Sequence, residues 1–334
     1  MTGTNAEFPG DSGPIRSFVP AAGTNEMAVL AIVGPTASGK SALAVAVAHA
    51  LERRTGRPAE VVGTDSMQVY VGMDIGTATP TEAERGGVRH HLVDVWPPSH
   101  GVSVAEFQAV ARAVIDDVRS RDAVPVVVGG SGLYVSAVLD DLRFPGTDPV
   151  VRARLEGELA VVGPAAMHDR LAAVDSDAAA EILPTNGRRI VRALEVVELT
   201  GGPFVATLPD PVDVYPTVRI GLAVPRPVLD ARIAARVDTM WADGFVDEVR
   251  RLAADGLAST PTASRALGYQ QVLACLAGEI DEGQARQQTI EATRRFARRQ
   301  QRWFARDARI TWLDHDSPTL AVDAVSHYDG TVHP

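Results

Sequence analysis

The chain has 334 residues, 46% hydrophobic and 22% charged, with a formal net charge of −10. That length and composition suit one large domain or two smaller ones with a real core, and the acidic balance excludes a surface that is basic overall. A single cysteine, Cys275, excludes an internal disulfide; no apolar run approaches the ~18 residues of a membrane span, and no signal peptide pattern opens the chain, so a reducing cytoplasm is the expected compartment.

Residues 1–26 are rich in Gly, Pro, Ser, Thr and Asn without apolar periodicity and read as a disordered extension. An apolar strand over 27–33 then leads into Gly34-Pro35-Thr36-Ala37-Ser38-Gly39-Lys40-Ser41, which satisfies G-x-x-x-x-G-K-[ST] with a strand before it and a helix after it. In such a loop, backbone N–H groups and the helix N-terminus converge on phosphate oxygens, the lysine reaches a terminal phosphate, and the Ser41 hydroxyl can take a place on Mg²⁺. Lys40 is the only lysine in the chain; arginine supplies every other strong positive charge. A compact ammonium is needed there, and a planar guanidinium is no substitute. The motif does not say whose phosphate is held.

A second strand over 59–63 ends at Thr64-Asp65-Ser66, so Asp65 points toward the loop. It can serve as a general base, as a Mg²⁺ partner through water, or only as a turn or helix-cap residue. An apolar run at 91–95, a helix over 102–120 and a buried strand over 124–130 continue the alternation. The expected fold is α/β, a parallel sheet with helices on both faces and the ligand at the strands' carboxyl ends. Over 148–200 only helical patterns occur, broken at Gly163-Pro164, Pro184 and Gly201-Gly202-Pro203. This places an all-helical insertion at 143–212 within a core of 27–142 and 213–316. The core resumes with a strand over 217–224, runs through helices to about 306 and closes with a strand over 308–314; 317–334 is left as a tail. His90 and His91 point to opposite faces and read as structural, and Cys275 reads as core.

From Arg286 to Arg309 there are eight arginines against Glu291 and Asp307, and Arg294, Arg298, Arg302 and Arg306 recur every four residues. In a chain of net negative charge this stripe is expected to be an RNA track, with Phe296 and Trp303 turned to the core. Two further signals are weaker by themselves: Arg232 and Arg236 share a helix face, as do Arg189 and Arg192.

GPTASGKS, DSMQVYVGMDIGTATP (65–80) and VVVGGSGLY (126–134) together resemble the tRNA dimethylallyltransferases. The resemblance continues through DPVVRARL, GRRIVRALEV, DARIAARVDTMWADGFVDEVRRL, SRALGYQQ and EATRRFARRQQRWFARD, and so covers about 28–314. It implies a P-loop NTPase-like core in which the loop holds dimethylallyl diphosphate with Mg²⁺. The dimethylallyl group passes to N6 of the adenosine 3′ to the anticodon, position 37, in tRNAs reading codons that begin with U. Asp65 accepts the N6 proton, Thr36 meets the diphosphate near the breaking bond, and Arg236 reaches the diphosphate. The family pattern assigns the anticodon stem-loop to Asp65, Ser66, Met67, Gln68, Ser131, Arg152, Arg188, Arg189, Arg192, Arg265, Tyr269, Arg298 and Arg299. Arg188 stands where the family usually has Gln, Ser131 where it more often has Thr, and Gln270 where Arg is common. A monomer is expected. The alternatives are a small-molecule or nucleoside kinase, a non-catalytic RNA-binding regulator, and a relative acting on free adenine nucleotides.

Overall fold

The computed structural model describes residues 27–205, 210–260 and 262–332; the extension expected at 1–26 lies outside them. Strands and helices alternate: β1 (Val29–Val33), α1 (Lys40–Thr55), β2 (Ala59–Gly63), α2 (Glu82–Arg85), β3 (His90–His91), α3 (Val104–Ser120), β4 (Val124–Gly129) and α4 (Gly132–Leu139). Then come three helices, α5 (Pro149–Val174), α6 (Ser176–Glu181) and α7 (Gly187–Thr200). The chain returns through β5 (Thr217–Ala223), α8 (Arg226–Ala242), α9 (Phe245–Ala254), α10 (Tyr269–Leu276), α11 (Glu282–Phe304), β6 (Ile310–Asp314) and α12 (Leu320–Val332).

The six strands form one parallel sheet in the order β3-β2-β4-β1-β5-β6. β1 lies at the point where the order reverses, and the crevice there opens above its carboxyl end. Its register sets Val33 beside Gly129 on one side and Gly221 on the other. Leu30 and Ile32 point into one apolar cluster with α1, α8 and α12; Val29, Ala31 and Val33 point into the other with α3, α4, α9 and α10. Burial on both faces explains why β1 and β4 read as uninterrupted apolar runs. No helix among the described residues is long and apolar enough to cross a membrane.

The helices α5, α6 and α7 have a core of their own around Leu155, Met167, Leu171, Ile190 and Leu194. The break expected at Gly163-Pro164 is a kink within α5, where Gly163 takes φ 81°. This helical unit leaves and rejoins the core through an antiparallel bridge between Asp140 and Asp213. Buried Arg219 of β5 pairs with both carboxylates, and Arg309 bonds Asp140 at 2.8 Å and Asp213 at 2.7 Å. Two arginines thus tie the base of the helical unit to the sheet.

Three expectations change. The run at 91–95 gives only a two-residue strand, because Leu92 and Asp94 take positive φ and turn the chain. Residues 320–332 are helical, where a tail was expected. There Ala324, Val325 and Tyr328 bury against α1 and β1 residues, and the Tyr328 hydroxyl donates to the Ala28 carbonyl at 3.0 Å. Cys275 is half-buried, so it is not a core residue. The two histidines are structural as read: His90 meets the Val88 carbonyl, and His91 shares a 2.6 Å hydrogen bond with Glu60.

Tyr328→Ala is expected to lower the unfolding free energy by about 3 kcal/mol, the scale of a large buried side chain lost from a core. Tyr328→Phe, which loses only the hydroxyl contact, is expected to cost about 1 kcal/mol in the same urea titration.

Candidate active site at the phosphate loop

The loop from Gly34 to Ser41 is shaped by backbone that most residues avoid. Gly34 and Gly39 take φ 146° and 102°, and even Ala37 sits at φ 62°. Helix α1 begins with no side-chain cap. Among the described residues, the backbone N–H groups of Ala37, Gly39, Lys40 and Ser41 make no hydrogen bond. Four unpaired donors at a helix N-terminus form a receptor for an anion. Lys40 Nζ donates to the Pro35 carbonyl at 2.7 Å, which folds the ammonium back over the loop. The buried Ser38 hydroxyl has no partner.

Asp65 is held at the same crevice by the end of β2. Fully buried Thr64 donates its backbone N–H and its hydroxyl to the Val128 carbonyl, at 2.8 and 3.1 Å, which locks this strand end to β4. One carboxylate oxygen of Asp65 then accepts the Met67 N–H at 2.9 Å, so the turn reading is correct as far as it goes. The other oxygen has no partner among the described residues. Arg236 reaches in from α8 and makes no hydrogen bond there, but it interacts electrostatically with Asp65 and Lys40. Desolvation and the Arg236 charge pull the Lys40 ammonium down from 10.5 to about 7, with Asp65 opposing. Burial likewise lowers Arg236, again against Asp65. The site thus holds two cations, one carboxylate and a nest of N–H donors, a set suited to receiving a multiply charged anion.

Two buried side chains that the sequence reading missed organise this crevice. Glu248, 2% exposed, accepts the backbone N–H groups of Asp74, Ile75 and Gly76 at 3.1, 2.8 and 3.2 Å and the Tyr269 hydroxyl at 2.6 Å. It pins the loop that follows Asp65. Gln300 of α11 accepts the Thr36 N–H at 2.9 Å. Nothing in local sequence pattern marks either one.

The residues expected to meet RNA divide into groups. Ser66 and Ser131 lie near the crevice and are half-buried, and Arg265, Arg298 and Arg299 are exposed. Met67 packs against the core, and Gln68 spends its amide nitrogen on the Thr77 and Ala78 carbonyls, closing the loop. Tyr269 needs correcting: it is fully buried with its hydroxyl on Glu248, so it has no face to offer RNA. Arg152 and Arg192 both pair with Glu195, which is 0% exposed, and Arg192 also bonds the carbonyls of Pro145 and Gly146. Arg152 thus holds α5 to α7, and Arg192, on the same helix as Glu195, holds α7 to the Pro145–Gly146 segment before α5; both guanidiniums are occupied in structural tasks the spacing did not show. Arg188 is exposed on α7, and Arg189 lies over the Phe204 ring.

The arginine stripe is shorter than its periodicity implied. Arg286 pairs with Asp238, Arg294 with Asp230, Arg295 with Glu291, and Arg309 with Asp140, Asp213 and Asp307. Arg298, Arg299, Arg302 and Arg306 are exposed and make no ion pair among the described residues. Phe296 is half-buried under Arg299, and Trp303, 38% exposed, lies against Gly132, so neither is a core residue. The core side of α11 is Ala297, Gln300 and Phe304.

A family model described as IPP transferase matches residues 68–307. The chain is 62% identical over 305 residues to the tRNA dimethylallyltransferase of Salinispora arenicola, covering 91% of this chain and 86% of that one. It is 63% identical over 292 residues to the enzyme of the same name from Thermobifida fusca, covering 87% and 91%. Among solved structures it is similar to the full-length tRNA isopentenylpyrophosphate transferase of Bacillus halodurans, with TM-score 0.68, 38% identity and coverage of 92% and 97%.

Glu248→Ala leaves four donors without their acceptor and is expected to cost about 3 kcal/mol or more in unfolding free energy, well above an ordinary surface change. The Lys40 environment predicts a proton linkage. An anion in the loop raises the ammonium's pKa, so above pH 7 binding of inorganic diphosphate takes up a proton and affinity falls as pH rises. Calorimetry in buffers of differing ionisation enthalpy should show this uptake at pH 8, and Lys40→Met should remove it.

Proposed function

The chain belongs to the IPP transferase family, and on that premise we propose that it transfers a dimethylallyl group from dimethylallyl diphosphate to N6 of adenosine 37 in tRNAs reading codons that begin with U. The observation that carries this reading is the single carboxylate, Asp65, sharing one crevice with Lys40, Arg236 and the unpaired loop N–H groups. A base and an anion receptor side by side suit a reaction that removes a proton and releases diphosphate.

The step is a displacement at the allylic carbon. The N6 lone pair forms the new C–N bond, the C–O bond breaks, and its electron pair leaves on the bridging oxygen of diphosphate. Asp65, through the carboxylate oxygen left free by the turn, takes the N6 proton. Lys40, Arg236 and the loop N–H groups are aimed where negative charge accumulates, and the crevice needs little reorganisation to receive it. The Thr36 side chain lies at the start of the loop, where it meets the diphosphate near the breaking bond. The hard oxygens of Ser41, exposed on the first turn of α1, and of Asp65 fit Mg²⁺. When bound, the ion would neutralise part of the leaving group's charge.

The RNA lies across the exposed arginines of α11, with Arg265 and the helical unit as further contacts. The target adenine has to leave its loop stack to reach Asp65, a cost that is small in an anticodon loop. These assignments agree with a cytoplasmic enzyme.

The reading is tested by incubating the protein with Mg²⁺, dimethylallyl diphosphate and an adenosine-bearing anticodon stem-loop, with ATP replacing the donor in a parallel tube. Mass spectrometry of the digested RNA should find N6-dimethylallyladenosine in the first tube only; ATP turnover without modification would move the chain to the kinases. Asp65→Ala should abolish transfer and leave stem-loop affinity nearly unchanged, whereas equal loss of both would remove the base assignment. If the four unpaired arginines each meet a phosphate, log affinity should fall against log salt with a slope of about −3. Arg302→Ala should shorten that slope by about 0.7.

A further inference from the structure

Gln300 is 6% exposed on the inner side of α11, between Ala297 and Phe304, which are both buried. A primary amide in such a position loses water on folding and destabilises the core unless its hydrogen bonds are replaced. Its oxygen finds one partner 264 residues away, the Thr36 N–H of the phosphate loop at 2.9 Å. Because that partner is a donor, the amide's orientation is fixed, oxygen toward Thr36 and nitrogen toward the opposite wall. There the nitrogen lies against Gly130 at the end of β4. A Cβ placed on Gly130 would fall 2.6 Å from Gln300 Nε2, 3.2 Å from the Gly34 carbonyl and 3.5 Å from Lys40 Nζ. One amide therefore fills the space between the first turn of the loop, the end of the neighbouring strand and the loop's lysine. Among the described residues, Nε2 donates to no acceptor.

The Thr36 N–H differs from the loop donors left open. Ala37, Gly39, Lys40 and Ser41 present theirs to an anion; Thr36 has its own taken by a side chain from a distant helix. That bond sets the plane of the peptide entering Thr36 and so restrains the direction of the Thr36 side chain. A loop with two positive-φ glycines and an alanine in the same region has few internal restraints, its short-range bonds being Ser38 N–H to Pro35 carbonyl at 3.3 Å and Lys40 to the same carbonyl.

We propose that Gln300 is a positioning residue of the donor site: its oxygen holds the Thr36 peptide so that the Thr36 side chain faces the departing diphosphate oxygen, and its nitrogen keeps a neutral donor beside Lys40. This rests on the transfer reaction proposed above. Gln300 acts through Thr36, so its loss affects turnover more than RNA binding, which the outward arginines of the same helix control.

The test uses the full chain with two substitutions. Gln300→Met keeps length and helix preference but accepts no hydrogen bond. Gln300→Glu keeps an acceptor for Thr36 and adds a negative charge beside Lys40. Gln300→Met should lower kcat at least tenfold and weaken inorganic diphosphate at least fivefold, with stem-loop Kd within twofold of wild type. Gln300→Glu should recover most of the lost kcat while KM for dimethylallyl diphosphate rises. A purely structural role would lower kcat in both variants in step with thermal stability, without that split, and this result overturns the proposal. So does a Gln300→Met protein with kcat and diphosphate affinity within twofold of wild type. If Gln300→Met does not fold, Gln300→Glu decides: kcat kept with KM raised supports the assignment, and kcat lost with KM unchanged refutes it. Should wild type transfer nothing to RNA, the reaction reading falls, and inorganic diphosphate binding to the two variants still decides whether Gln300 positions the loop.

Discussion

The desolvated charge of Lys40 is the constraint around which the crevice is built. Its ammonium has a carbonyl, a nearby guanidinium and a carboxylate for neighbours, and together they leave it poorly compensated. A cation under that condition is half-charged near neutral pH and gains its full charge when an anion enters. The loop is therefore preorganised for an anion, while the Met67 N–H holds one oxygen of the neighbouring Asp65 carboxylate. In the proposed reaction, an Asp65 closed onto Lys40 in a tight ion pair would be a poor base and would block the loop.

Holding such a site open requires support from elements that do no chemistry. Thr64 fixes the strand end that carries Asp65, Glu248 fixes the loop after it, and Gln300 fixes the entrance to the phosphate loop. Each is buried and polar and is hydrogen-bonded to another part of the chain, so each replaces lost solvation with a specific geometry. The Arg219 and Arg309 network performs the same service for the base of the helical unit, where Arg219 and Asp140 are buried as a pair and Asp213 and Arg309 complete the network at its partly exposed edge.

What the sequence disclosed follows from distance along the chain. The strand, phosphate loop and helix are contiguous, and their chemistry is encoded in eight adjacent residues, Gly34 to Ser41. Asp65 was legible because it ends a strand. Glu248 and Gln300 were not, since their partners lie 173 and 264 residues away and no periodicity marks them. The arginine stripe misled in the same way: charge spacing on α11 does not reveal that Asp230 and Asp238 of α8 neutralise two of its members. Tyr269 shows the limit of carrying a role over by motif, because the motif does not tell a buried phenol from one facing RNA. The helix at 320–332 had a signal, apolar residues at 321, 324, 325 and 328, which fits a helix packed by one face.

Because the chain contains one lysine, the central claim can be read from a single resonance. Protein labelled biosynthetically with ¹³C,¹⁵N-lysine should give one side-chain signal whose titration reports Lys40 directly. It should titrate near pH 7 in the free protein and move well upward when inorganic diphosphate is added. A midpoint near 10.5 in both states would show an ordinary solvated ammonium, and the crevice would not be the poised anion receptor described here.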